Sequence, residues 1–95
     1  LAAPVLASAD LEHHLAQLQG WEVREGKLHR QFQFPNFVSA FGFMTQMAMV
    51  SEVMGHHPEW SNVYNRVTVD LTTHDSGGIT TKDIEWATRA NAFAP

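Results

Sequence analysis

WEVREGKLHRQFQFPNFVSAFGFMTQMAMVSEVMG, Trp21 to Gly55, changes its apolar period half-way along. The first part alternates. Trp21 and Val23 share one face, and Leu28, Arg30, Phe32 and Phe34 share another, with Glu25-Gly26 between them. A period of two around a turn containing glycine predicts a β-hairpin. Pro35-Asn36 closes the second strand, and Asn36 is suited to cap a helix beginning at Phe37. From Phe37 to about Met54 the period is helical. Phe37, Phe41, Met44, Ala48, Ser51 and Gly55 trace one stripe, which Ala40, Met47 and Met54 widen. Such a helix is apolar over more than half its circumference. It either lies deep in a core or also faces another subunit. Gly55 is its natural stop.

The flanks repeat the alternation of helix and hairpin. Upstream, Ser8 or Asp10 can cap a helix whose inner stripe is Leu11, Leu15 and Leu18, with Gly20 ending it. Residues 1–7 are expected to form a loose N-terminal arm on a single domain spanning 1–95. Downstream, Val67, Val69 and Leu71 point one way and Thr68, Asp70 and Thr72 the other. That strand is expected to pair with Asn62-Val63-Tyr64-Asn65 across a tight turn at Asn65-Arg66. After the loop Asp75-Ser76-Gly77-Gly78, the run Thr80 to Asp83 opens a last helix with Ile84, Ala87 and Thr88 inward. The order α-β-β-α-β-β-α predicts an α+β two-layer sandwich, a four-stranded antiparallel sheet with helices on one face.

Composition narrows the function. With 95 residues there is room for one core. The net charge is −4, and no Lys/Arg cluster exists to displace counterions from phosphates, so a nucleic-acid partner is not expected. The absence of cysteine removes thiolate metal sites and fits a reducing, cytoplasmic setting. No apolar run is expected to reach the ~18 residues of a membrane span, so no membrane partner is expected.

Histidine is the unusual residue, with six in the chain. His13 and His14 sit in the first helix and His29 on the polar side of a strand; solvated roles suffice for all three. His56-His57-Pro58 is different, because it comes after a helix stop. Proline pushes His57 toward extended backbone, where neighbouring side chains diverge. His74 ends a strand just before a loop, where scaffolds present functional groups. Three chemistries are open. A three-histidine metal site is disfavoured by the spacing. Paired acid–base work suits imidazoles, since one ring can donate a proton while another accepts one. Plain hydrogen bonding is the third. Glu52 lies one helical turn before His56 and is within reach of orienting it. Asp83 makes a capping box with Thr80, and Trp60 is either core or a flat wall for a planar ring.

The pattern Glu52-x3-His56-His57-Pro58-x5-Tyr64-x9-His74-x8-Asp83 specifies seven positions across 32 residues. It resembles the signature of the pterin-4a-carbinolamine dehydratase family, also known as the dimerization cofactor of a hepatocyte nuclear factor. The likeness extends from about residue 8 to the end, through the "GWEV" and "FQFPNFVSAFGFMTQMA" stretches. It implies a four-stranded sheet with helices on one side, and dimers or tetramers built through the long helix. It implies dehydration of 4a-hydroxytetrahydropterin to quinonoid dihydropterin, in tetrahydrobiopterin recycling, with no metal and no cofactor. Carried over by position, the catalytic residues are His56, His57 and His74. Glu52 would orient His56; Pro58 and the strand end Thr73-His74-Asp75-Ser76 would line the pterin pocket; Trp60 would wall it. Asp83 would hold the last helix start near His74. Some members carry Cys at the position of Ser76, which should matter little in a reaction without thiol chemistry. The family also implies a secondary role in docking a protein partner.

Overall fold

The computed structural model describes residues 2–95. The elements are α1 (Ser8–Leu15), β1 (Glu22–Arg24), β2 (Lys27–Gln33), α2 (Phe37–Met54), β3 (Glu59–Val63), β4 (Arg66–Leu71) and α3 (Thr81–Phe93), in the order expected. The four strands form one antiparallel sheet in the order β1-β2-β4-β3. β4 is therefore central, and it pairs with β2 from Leu28↔Leu71 to Gln33↔Arg66 and with β3 from Glu59↔Asp70 to Val63↔Arg66. Both tight turns use positive φ, at Glu25 and Gly26 and again at Tyr64. The second turn is Tyr64-Asn65, one residue earlier than expected, because Arg66 already pairs with Val63.

One face of the sheet is apolar. Leu28, Phe32, Val67, Val69 and Leu71 are buried there under α2 and α3. Trp86 of α3 sits at the centre. It meets Trp21 and Trp60 edge to face at 6.4 and 6.1 Å. Its indole N–H donates to Ser51 Oγ at 2.8 Å, and Ser51 in turn donates to the Met47 carbonyl. These bonds let a polar indole lie in the core without an orphan donor.

Asn36 caps α2 through its side chain, accepting the Ser39 N–H at 2.8 Å, and Gly55 ends it in the left-handed region. The inward stripe of α2 is Ala40, Phe43, Met47 and Ser51, rotated from the Phe37/Phe41 stripe expected. Phe37, Val38, Phe41, Met49 and Val53 are instead exposed. A helix apolar nearly all round gives no moment by which sequence alone can choose its inner face. By length and composition α2 does reach the lower limit for a membrane span, contrary to expectation, but its inner stripe packs against the sheet.

The N-terminus also departs from expectation. α1 has Ala7 at its cap position with no side-chain cap, and it stops at Leu15; Leu18 is buried in the turn beyond it. The arm is not loose over residues 3–6. The Leu6 N–H bonds the Ile79 carbonyl at 2.9 Å, the Ser76 hydroxyl donates to the Ala3 carbonyl, and Val5 abuts Gly78. In α3, Thr88 is exposed and Trp86 takes the inward place.

Candidate active site

The site forms where α2 ends, β4 ends and α3 begins. Gly55, at φ +64, turns the chain out of α2 so that His56 and His57 leave the helix in irregular backbone before β3. β4 runs between β2 and β3 and delivers Thr72, Thr73 and His74 to the same end of the sheet. Thr73 then bridges to Gly78 across a tight loop. The result is an open cleft of about 220 Å³ lined by Gly55, His56, His57, Thr72, Thr73, His74, Asp75 and Lys82. A larger apolar depression of about 660 Å³ lies between α2 and the chain's end, lined by residues such as Phe34, Phe43 and Phe93, with no titratable side chain. The smaller cleft is where acid–base groups converge.

Each histidine of the cleft has its own carboxylate, and each is held through Nε2. His56 Nε2 lies 2.6 Å from Asp83 Oδ1, with His56 buried and Asp83 wholly so. His57 Nε2 lies 2.5 Å from Glu52 Oε2, and His74 Nε2 lies 3.1 Å from Glu59 Oε2. The last two pairs are exposed, with side-chain exposures of 60% for His57 and 76% for His74.

The His56–Asp83 pair is built into a network whose proton directions can be traced. Asp83 Oδ2 accepts the Thr80 backbone N–H and the Thr73 hydroxyl, both at 2.9 Å. Thr73 Oγ1 therefore accepts from the Thr80 hydroxyl, 2.8 Å away. With both Asp83 oxygens acting as acceptors, His56 Nε2 carries the hydrogen. No buried polar side-chain atom among the described residues is left unpaired. His56 Nδ1, which has no protein partner among them, is thus not sealed from the cleft. A buried carboxylate that fixes the tautomer of a working imidazole is the orienting arrangement of acid–base sites generally. Asp83 holds His56 Nε2 in this way while also completing the capping box with Thr80 at the start of α3.

Around His74, Glu59 is shared. Its other oxygen lies 2.6 Å from Lys27 Nζ on β2. The hydrogen bond from Lys27 holds the Glu59 carboxyl below the usual carboxylate range, with His74 adding to the effect and desolvation opposing it. The same bond raises the Lys27 ammonium.

The structure gathers some of the expected residues and disperses others. His56, His57, Thr73, His74 and Asp75 line the cleft, with Asp83 behind His56. Glu52 pairs with His57 rather than His56, because His56 turns inward to Asp83. Trp60 does not wall the cleft; it alternates inward on β3 and packs on Trp86. Pro58 is outside the lining, and Ser76 faces the N-terminal arm. His29, expected to be merely solvated, pairs with Asp70 at 2.8 Å on the outer face of the sheet. Sequence pattern does not single out Thr72, Lys82, Glu59 or Lys27. Alternation marks Glu59 as outward once Trp60 is taken as inward, but its partner His74 is 15 residues away.

The likeness to known proteins spans nearly the whole chain. A family model described as pterin 4 alpha carbinolamine dehydratase matches residues 4–93. A protein of Solibacter usitatus (strain Ellin6076), provisionally named a pterin-4-alpha-carbinolamine dehydratase, is 52% identical over 89 residues, covering 94% of each chain. One of the same provisional name from Prochlorococcus marinus (strain MIT 9303) is 45% identical over 95 residues, covering 100% of this chain and 99% of its own. A crystal structure described as a transcriptional coactivator/pterin dehydratase from Brucella melitensis superposes with a TM-score of 0.92 at 43% identity, over 96% of this chain and 99% of its own.

Proposed function

Because the chain belongs to the pterin 4 alpha carbinolamine dehydratase family, we propose that it is a hydro-lyase that dehydrates 4a-hydroxytetrahydropterin to quinonoid dihydropterin. The observation that carries the mechanism is the set of three histidines around one cleft, each tied to a carboxylate through Nε2. That arrangement leaves each Nδ1 free for proton exchange with a bound molecule. The reaction needs one proton delivered and one removed. The 4a-hydroxyl leaves as water after accepting a proton, breaking the C4a–O bond. The ring nitrogen beside it loses its proton, and its electron pair forms the new C=N bond. The redox state of the pterin plus water is unchanged.

His56 and His74 carry out the two transfers, one as acid and one as base. His57, held by Glu52, seats the pterin at the rim. Thr73 and Asp75 border the ring, and Asp83 acts through His56. The physiological setting is tetrahydrobiopterin recycling in the cytoplasm.

Stopped-flow absorbance of 4a-hydroxytetrahydropterin decay tests this reading. Native protein accelerates the decay, and His56→Ala or His74→Ala lowers the rate by ~10² or more, the least that a positioned acid–base group supplies. Decay at the buffer rate with native protein overturns it.

The exposed apolar residues of α2 favour a second property. Phe37, Phe41, Met49 and Val53 fit a homodimer or homotetramer assembled through this helix, and the same face suits a protein partner as a secondary role. Light scattering of native protein and of the double variant Phe41→Asp/Val53→Asp checks it. A native monomer refutes the assembly.

A further inference from the structure

Lys27, Glu59 and His74 belong to three different parts of the chain, 32 and 15 residues apart in the two contacts that join them. The sheet order brings them together. β2 and β3 flank β4, so the first residue of β2 and the first residue of β3 stand on either side of the end of β4. The chain leaving β4 carries His74 over that same end. Glu59 sits between the other two. One oxygen takes the Lys27 ammonium at 2.6 Å and the other faces His74 Nε2 at 3.1 Å. The two contacts differ in role. His74 projects from a turn, is the most exposed of the three cleft histidines, and its ring has no other hydrogen-bond partner among the described residues. An imidazole so placed samples several rotamers unless something stops it. Glu59 is on a paired strand and is braced on its far side by a cation, so it can serve as that stop.

We propose that Glu59 is the positioning residue of His74, and that Lys27 braces Glu59 for that task. Holding Nε2 leaves Nδ1 as the nitrogen that meets the ligand. It also sets which rotamer His74 shows to the cleft. The pair does for an exposed histidine what the buried Asp83 network does for His56. All three groups are solvent-accessible, so the effect is a bias among rotamers, and it is screened by salt.

This proposal rests on the dehydratase reading for its kinetic readout alone. The experiment has two arms. In the first, ring order of His74 is measured by ¹³C relaxation on the substrate-free protein. Glu59→Ala should free the ring, Glu59→Gln should largely restore its order because an acceptor oxygen remains, and Lys27→Met should give a smaller loosening. In the second, kcat and KM are measured on the same proteins. Glu59→Ala should lower kcat about three- to tenfold with KM within about twofold, a fraction of the ~10²–10⁴ that the imidazole itself would supply. A His74 ring equally ordered in native protein and in folded Glu59→Ala overturns the proposal, as does an unchanged kcat in an active enzyme. A native protein without dehydratase activity sinks the dehydratase reading, and the relaxation arm still decides the role of Glu59.

Discussion

Replacing Asp83 by asparagine changes one oxygen to an amide nitrogen on a side chain with no exposed surface. The surrounding donors dictate which way the new side chain lies. The Thr80 backbone N–H cannot change its polarity, so the amide oxygen must stay on the Oδ2 side to accept it and the Thr73 hydroxyl. The amide NH2 then faces His56 Nε2 across a gap that is 2.6 Å in the native protein. Two donors cannot share that contact. His56 must move its hydrogen to Nδ1 and accept through Nε2. The nitrogen left for catalysis is then already protonated in the neutral ring and cannot act as a base. A wrong-tautomer substitution of this kind costs ~10⁴ in the serine-protease triad, and the fall expected here is ~10²–10⁴ in kcat.

Stability falls too. Three hydrogen bonds now end on a charged acceptor, at 2.6, 2.9 and 2.9 Å. Each weakens by about 1 kcal/mol when the acceptor becomes neutral, for a loss of about 3 kcal/mol. In a domain of this size that lowers the melting temperature by about 12–24 °C. Urea unfolding gives the stability, single-turnover stopped flow gives the rate, and ¹⁵N shifts of the His56 ring give the tautomer directly. A folded Asp83→Asn protein that retains Nε2–H on His56, or that works within about threefold of native, refutes this account of the site.

Other perturbations test separate parts of the structure. Ser51→Ala removes the acceptor of the buried Trp86 N–H, so it should cost about 1–3 kcal/mol in urea unfolding while leaving the cleft intact. The Lys27–Glu59 pair should contribute only in a defined pH window, because Glu59 is depressed from 4.5 and Lys27 is raised from 10.5. The stability difference between native and Lys27→Met should therefore vanish as pH falls through the lowered Glu59 value and again as it rises through the raised Lys27 value; a constant difference across that range refutes it. Deleting residues 1–6 removes the contacts of Ala3, Val5 and Leu6 with the loop after β4. Hydrogen exchange at Gly77 and Gly78 should then speed up and KM should rise, and unchanged protection would show that the arm is not holding the loop.

The element order was legible because it depends on local patterns. Alternation in Lys27–Gln33 and Arg66–Leu71, helical period in Phe37–Met54, and a cap at Asn36 with a stop at Gly55 each act within a few residues. The errors lie where local pattern is ambiguous. α2 is apolar on nearly every side, so only contact with the sheet selects Phe43 over Phe41 as the buried ring. Trp86 looks in sequence like one more residue of an amphipathic helix, and it is the centre of the core because Trp21, Trp60 of β3 and Ser51 of α2 close around it.

The site divides in the same way. His56, His57 and His74 stood out by their positions at a helix stop and a strand end, and the family resemblance alone tied Asp83 to them. Their partners did not stand out. Glu52 lies five residues from His57 and one turn from His56, and sequence distance chose the wrong histidine. What decided it was His56 turning inward to the buried Asp83 of α3, 27 residues away. Residue types and local periods settle which groups are present and which segments carry them. Hydrogen bonds between ring and carboxylate need their atoms within about 3 Å, and only the packing of β4 between β2 and β3, with α3 across its end, brings His56 to Asp83 and His74 to Glu59 that closely.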